Sequence, residues 1–299
     1  MKEIVVISGK GGTGKTSITA SFTVLGSKNL VAADCDVDAA DMHLLLKPDM
    51  AIQEDFYSGE VAVIDPSACI GCGRCAQVCH FGAIFRNGRT YEIDSLACEG
   101  CGYCSRVCPT RAISNHTEKA GELFVSTTRL GCTMVHAKLG IGSDNSGKLV
   151  AEVKKRAKAL AEEQGKALVL VDGSPGVGCP VVSSLSGASF VVLATEPTVS
   201  GLHDLQRVWE LVEKFKIPAG CIINKSDINP EMTEKIVAYL DSQRITLLAV
   251  LPYDESVTRA MIAEKTIVEY EQDSPIKDQI RNAWQRLGEL LDKQTKEQP

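Results

Sequence analysis

The apolar run Ile4-Val5-Val6-Ile7 leads into Gly9-Lys10-Gly11-Gly12-Thr13-Gly14-Lys15-Thr16. This fits the G-x-x-x-x-G-K-S/T pattern of a phosphate-binding loop in its expected setting, a strand before and a helix after. Each part has a physical reason. Glycines let backbone N–H groups turn onto phosphate oxygens. Lys15 places a point charge on the β- and γ-phosphates, and the Thr16 hydroxyl can ligate Mg2+. The helix that starts near Thr16 aims its positive end at the same anion. The candidate nucleotide-binding residues here are Gly11, Gly12, Thr13, Gly14, Lys15, Thr16 and Ser17.

The 299 residues, 44% of them hydrophobic, can bury a sizeable core in one or two domains. A net charge of −6 argues against a generally nucleic-acid-binding surface. No window approaches the ~18 continuous apolar residues of a membrane span. The chain enters its first strand with no basic-then-apolar leader, so a cytoplasmic protein is expected. In that setting the twelve cysteines point to metal binding and not to disulfides.

Further along, a helix is expected over 16–27 and a buried strand from Leu30 to Ala33, ending in Asp34-Cys35-Asp36-Val37-Asp38. Carboxylates at the C-terminal end of a parallel strand lie where open α/β sheets bind ligands. Asp34 and Asp36 could hold Mg2+ or orient an attacking water, or they could cap a helix and line a solvated turn. Asp38 receives no role. A second buried strand, Ala167 to Val171, ends in Asp172, the position of a Walker B carboxylate.

Residues 47–60 read as polar and irregular, and then the pattern changes. Cys69, Cys72, Cys75 and Cys79 are followed by Cys98, Cys101, Cys104 and Cys108-Pro109 in the same spacing, offset by 29 residues. Asp65–Ile84 and Asp94–Ile113 share 11 of 20 positions, which marks an internal duplication. The spacing is that of bacterial two-cluster ferredoxins, in which the fourth cysteine of each run ligates the other cluster. One 4Fe-4S cluster is therefore expected on Cys69, Cys72, Cys75 and Cys108, and the other on Cys98, Cys101, Cys104 and Cys79. Zinc is the rival, but zinc modules usually use separated C-x-x-C pairs. His80 stands where the second run has Pro109, a departure that leaves the ligands untouched.

Cys132 and His136 could form a metal pair, but a lone Cys and His in a strand-rich region are more often packed than ligating. Ser146 opens a helix with Leu149, Val153, Ala157 and Leu160 on one face. Ala188–Thr195, Gly220–Asn224 and Ile245–Leu251 read as strands, Asn229-Pro230 as a helix start, and Ser274-Pro275 as the opening of the last helix. That last helix carries a mixed-charge outer face and reads as packed on the sheet, with no direct membrane anchor.

The loop form K-G-G-x-G-K-T resembles the deviant Walker A motif of the MinD/ParA superfamily, which includes Mrp-type ATPases and the iron protein of nitrogenase. The resemblance implies a doubly wound, mostly parallel α/β sheet. It makes Lys10 a signature lysine that reaches the nucleotide of a partner subunit in an ATP-bound homodimer. It places Asp36 in switch I, supporting hydrolysis. Asp172-Gly173-Ser174-Pro175-Gly176 resembles switch II, with Asp172 holding Mg2+ through water, and the Mg2+ set becomes Thr16, Asp34 and Asp172. Lys10, Lys15, Asp36 and Asp172 form the catalytic set. Asn224, in a segment superficially similar to the guanine-reading N-K-x-D, would touch adenine, and Pro252 and Asp254 would wall the adenine pocket. Cys179 stands where the nitrogenase iron protein has a cluster ligand, but the second such ligand has no counterpart in Ser143-Asp144-Asn145.

The expected organisation is a P-loop ATPase domain, residues 1–59 and 118–299, interrupted by a ferredoxin domain at 60–117. Three functions follow from the resemblance: an ATP-gated electron carrier serving a redox partner protein, an Mrp-type iron–sulfur assembly scaffold, and a MinD/ParA-like positioning switch with redox-sensing clusters. The fusion of redox and nucleotide modules favours the first. The second would want exposed thiol pairs outside the two runs, and no C-x-x-C occurs there.

Overall fold

The computed structural model describes residues 1–140, 146–270 and 274–297, with side chains as far as Lys293. The first half of the chain forms β1 (Lys2–Ser8), α1 (Lys15–Gly26), β2 (Leu30–Asp34), α2 (Met42–Leu46), β3 (Ile52–Ile64), α3 (Arg74–Val78), β4 (Ile84–Asn87), β5 (Thr90–Ile93), α4 (Tyr103–Val107), β6 (Ile113–Thr127) and β7 (Thr133–Leu139). The second half forms α5 (Ser146–Glu163), β8 (Leu168–Asp172), α6 (Cys179–Leu185), β9 (Phe190–Thr195), α7 (Val199–Lys214), β10 (Ala219–Ile223), α8 (Pro230–Ser242), β11 (Thr246–Val250), α9 (Glu255–Ile262) and α10 (Pro275–Glu297).

The main sheet has nine strands in the order β11-β10-β9-β1-β8-β2-β7-β6-β3. Pairing is parallel from β11 through to β7. Parallel strands covered on both faces read as continuous apolar runs, and Ile4, Val5, Val6 and Ile7 of β1 are fully buried accordingly. One core joins Ile4, Val6, Ala32, Leu170 and Val192 of the sheet to Phe22 of α1 and to Ile276, Ile280 and Leu287 of α10. The last helix therefore packs by the apolar stripe visible in its sequence, and Trp284 stacks at a tilt on Phe22, 5.1 Å between centroids.

The chain divides into two compact units, residues 1–54, 123–138 and 146–299 in one and 55–122 with 139–145 in the other. The second unit contains α3, the β4–β5 hairpin and α4, gathered on a small core of Ala62, Ile64, Cys75, Cys104 and Ile113. Residues 47–60, expected to be irregular, hold most of β3. The strand is mostly exposed at the sheet edge, so its backbone pairs without an alternating apolar face to betray it. The start of α5 at Ser146 is described, but Ser143, Asp144 and Asn145 lie outside the described residues.

Candidate functional site

The phosphate-binding loop joins β1 to α1 at the C-terminal edge of the sheet. Gly12 and Gly14 take φ of +80° and +86°, where a side chain would be strained, and a Cβ on Gly14 would lie 2.4 Å from Asn224 Nδ2. Asn224 Nδ2 donates to the Thr13 carbonyl at 2.9 Å, and Lys225 Nζ donates to the Gly12 carbonyl at 3.0 Å. Because a trans peptide sets its C=O and N–H antiparallel, these bonds turn the Thr13 and Gly14 amides the opposite way. The Thr13 hydroxyl is buried beside them with no hydrogen-bond partner, which fits a ligand that the loop is shaped to receive.

Lys15 is buried among carboxylates. Its Nζ lies 2.9 Å from Asp172 and 3.4 Å from Asp36. Burial alone would lower its pKa, but Asp172 and Asp36 together hold it above the ordinary lysine value. Asp172 also accepts hydrogen bonds from Thr16 Oγ1 at 2.7 Å and Thr19 Oγ1 at 2.8 Å. Asp34, opposite Asp172 in the β2–β8 register, is fully buried. Its two carboxylate oxygens accept from the Asp36 and Met42 amides. Burial, and then the Asp172 charge, push the Asp34 carboxyl well up, and burial also raises Asp36 against the pull of Lys15. Three carboxylates thus act on one ammonium, and Asp172 with the Thr16 hydroxyl offers oxygen atoms of the kind a divalent cation takes. Ser174, buried just after Asp172, donates to the Cys35 carbonyl at 2.7 Å and so ties the two acid-bearing loops together.

A cavity of about 560 Å³ opens beside this charge cluster. The loop residues Gly11 to Ser17 line it, together with Asp36, Asn224, Pro252 and Asp254. Asp34 and Asp172, both fully buried, do not line it. At the far end, Tyr253, Val257 and Met261 supply apolar surface suited to a flat base. Asn224 is held between Thr13 and the Lys225 amide, and Asp254 caps α9 through the Ser256 amide at 2.7 Å. Asp227, the last residue of N-K-S-D, accepts from the Tyr253 amide at 2.6 Å and does not line the cavity.

Lys10 is not part of that wall. Its Nζ pairs with Glu196 at 2.7 Å and donates to Thr198 and Ser200. Glu196 also pairs with Lys225 at 2.9 Å, and the two lysines hold its carboxyl below the ordinary range against the effect of burial. Neither Glu196 nor Thr19 was singled out in the sequence. Thr19 could have been, since it sits four residues after Lys15 on the inner face of α1, whereas Glu196 carries no local signal.

In the second unit the cysteines meet as two sets. Cys69, Cys72, Cys75 and Cys108 line one small cavity; Cys79, Cys98, Cys101 and Cys104 line another. Each fourth cysteine has crossed to the other run. Tight turns make this possible: a Cβ on Gly71 would come 2.2 Å from the Arg89 carbonyl oxygen, and one on Gly100 would come 2.0 Å from that of Glu60. The Ala112 amide donates to Cys108 Sγ at 3.3 Å. Among the described residues, no three His, Cys, Asp or Glu side chains converge on a place for a single ion. Four thiols at each cavity are a donor set of a kind that both zinc and iron–sulfur groups take.

Of the remaining thiols, Cys35, Cys132 and Cys221 are buried and Cys179 is exposed. Cys132 Sγ lies 3.1 Å from Thr128 Oγ1, while His136 stacks on Phe124, so both are packed side chains.

The model of the CobQ/CobB/MinD/ParA nucleotide-binding domain family matches residues 4–267. Two uncharacterized proteins of Methanocaldococcus jannaschii are similar over long stretches. One is 34% identical over 97% of both chains, and the other is 27% identical over 77% of this chain and 82% of its own length. Among solved structures, the cell division ATPase MinD of Pyrococcus furiosus superposes with a TM-score of 0.58 at 20% identity, covering 97% of this chain and 99% of its own. MinD of Pyrococcus horikoshii, solved with Mg-ADP, gives 0.57 at 20% identity, covering 97% and 96%. Among the described residues no helix is long and apolar enough to cross a membrane.

Proposed function

The chain belongs to the CobQ/CobB/MinD/ParA nucleotide-binding family, and from that premise we propose an ATPase that couples its nucleotide state to electron delivery through two 4Fe-4S clusters. The observation that carries this reading is the occurrence, in one chain, of a phosphate-binding cavity and two cavities each lined by four cysteines. The proposed division is an ATPase domain at 1–59 and 118–299 and an inserted ferredoxin domain at 60–117. The compact unit over 55–122 and 139–145 supports it.

ATP is the nucleotide of choice. Asp227, which would have to read guanine, is tied to the Tyr253 amide, and the base end of the cavity is apolar. The Mg-ADP in the Pyrococcus horikoshii relative supports the same choice. Lys15 would move from Asp172 and Asp36 onto the phosphates, exchanging carboxylate partners for phosphate oxygens. Thr16 and Asp172 would hold Mg2+, which supplies positive charge where the phosphates gather; Asp34, expected in the same set, is left out of it because both its oxygens are taken by backbone amides. Asp34 acts by fixing the Asp36 and Met42 amides, and so aims Asp36, the residue proposed to orient the attacking water. Lys10 would leave Glu196 only when a second chain presents its nucleotide, which makes the active form an ATP-dependent homodimer.

Cys69, Cys72, Cys75 and Cys108 would hold one cluster, and Cys98, Cys101, Cys104 and Cys79 the other, each supplying a site for one electron. A transfer scaffold would need a pair of accessible thiols outside these sets, and among the described residues only Cys179 is exposed there. The test is anoxic purification followed by iron and sulfide assay, ATP turnover, and capture of partners with and without ATP. The expected result is about eight irons per chain, slow hydrolysis, and ATP-dependent electron transfer to a captured redox protein. Zinc in place of iron, or electron transfer indifferent to nucleotide, would overturn it.

A further inference from the structure

The two cysteine sites descend from one repeat, so equivalent positions can be compared directly. Arg74 corresponds to Tyr103, Ile70 to Glu99, and Thr110 to Phe81. The structure distributes these unequally. The cavity of Cys69, Cys72, Cys75 and Cys108 is lined by Ile70, Arg74 and Thr110. The cavity of Cys79, Cys98, Cys101 and Cys104 is lined by Glu99, Tyr103 and Phe81. Arg74 and Glu99 are both exposed, so the rim of one site carries a cationic residue and that of the other an acidic one.

Hydrogen bonding adds in the same sense. Cys108 Sγ accepts from the Ala112 amide at 3.3 Å and lies 3.7 Å from the Thr110 hydroxyl. Cys79, the repeat equivalent of Cys108, is followed two residues later by Phe81, which has no hydroxyl to offer. The potential of an iron–sulfur group rises with nearby positive charge and with hydrogen bonds to its sulfurs, because both stabilise the extra electron. Two independent features therefore favour the reduced state at the same site.

Resting on the cluster reading above, we propose that Arg74, Thr110 and Glu99 give the cysteine-rich unit a fixed electrical polarity. The Cys69/Cys72/Cys75/Cys108 site is the higher-potential, electron-accepting end, and the Cys79/Cys98/Cys101/Cys104 site is the lower-potential, electron-receiving entrance from a one-electron donor protein. With clusters held on both cysteine sets, one electron lost at the entrance site would be gained at the other, with no proton or bond moved. Both ends carry exposed apolar side chains, Ile70 at the accepting end and Phe81 and Tyr103 at the entrance, so the charged residues and not apolarity set the two apart.

The test is a potentiometric titration of the anoxic full-length protein, followed by electron paramagnetic resonance after iron assay. Two reduction steps are expected, separated by a tenfold or larger difference in electron occupancy, about 59 mV for a one-electron couple. Arg74→Gln and Thr110→Val should each lower the upper step and leave the lower one in place. Glu99→Gln should raise the lower step alone. The exchange of repeat residues in Arg74→Tyr/Glu99→Ile should draw the steps together, and iron content reports whether each variant has kept its clusters. Iron-loaded protein with a single step, or with Arg74→Gln acting on the lower one, would overturn the polarity and leave the cluster reading intact. Protein without iron would overturn both.

Discussion

Lys15 is surrounded by Asp34, Asp36 and Asp172, so its removal has a consequence apart from the nucleotide. Lys15→Ala should abolish ATP binding and also destabilise the empty protein by about 3–5 kcal/mol at neutral pH, the cost typical of a buried charge left unpaired. Asp34 and Asp36 already have raised pKa values, and without the ammonium they rise further. A raised carboxyl favours the folded state at low pH and loses that advantage as pH rises through the folded value. The deficit of Lys15→Ala against wild type should therefore be smaller at pH 5 than at pH 8 in calorimetry. Asp36→Ala should keep ATP binding, measured by titration calorimetry, and lose turnover. His136 carries the opposite sign. Burial, with a contribution from His43, depresses it to about 4 from an ordinary 6.5. Its share of stability is full above pH 6.5 and is lost as pH falls towards 4, about 3 kcal/mol in all. His136→Phe should flatten the stability profile across that window; an unchanged profile would show that other groups set it. The closeness of Lys15 and Thr16 to Asp172 and the grouping of eight cysteines into two sets could be read in advance, because both follow from local motif spacing. Thr19 could have been added from its place one helical turn after Lys15, but Glu196 could not, because only the folded sheet brings it to Lys10.

Among the elements, the turns that carry the cysteines are the most exacting. Gly100 sits at φ +62° with the Glu60 carbonyl where a Cβ would be, whereas Gly88 sits at φ +59° in the β4–β5 turn with open space around it. Both positions disfavour an L side chain by about 1 kcal/mol. Only Gly100 adds a collision with backbone. Gly88→Ala should lower the melting temperature by a few degrees and keep full iron. Gly100→Ala should lose iron, and lose it first from the site holding its neighbours Cys98 and Cys101. Equal iron in the two variants would mean that the turn at Gly100 can relax. α1, α5, α8 and α10, with most of the buried parallel strands, were legible from apolar period and from caps such as Asn229, which accepts from the Met232 amide, whereas α7 and α9 were not read. β3 was not legible, since an edge strand with little buried side-chain surface leaves no period-2 signal. The short α2 was missed for a related reason: its five residues are too few to display helical periodicity.

At the scale of the whole molecule, the question is whether nucleotide and electrons report to each other. The sheet and the P-loop were foreseeable as a pair, because the motif needs a buried parallel strand behind it. Coupling is not written in any motif and must be derived from connectivity. Asp36 is separated from the start of the cysteine-rich unit at Asp55 by α2 and the first residues of β3. The Asp34 carboxylate fixes both the Asp36 and the Met42 amides, so a nucleotide that moves Asp36 pulls on the root of α2. If ATP binds one redox state ~100-fold better than the other, about 2.7 kcal/mol is available to shift the equilibrium. For a one-electron site this corresponds to a change of about 0.1 V. Linkage makes the effect reciprocal, so reducing the protein must change ATP affinity by the factor with which ATP changes reduction. The measurement is a pair of anoxic experiments on one preparation: ATP titration of oxidised and of dithionite-reduced protein, and potentiometry with and without a non-hydrolysable ATP analogue. The expected outcome is a matching factor of tenfold or more in both. Equal ATP affinity for the two redox states would leave the P-loop and the cysteine sites as independent functions sharing a chain, and the gated-carrier reading would fail.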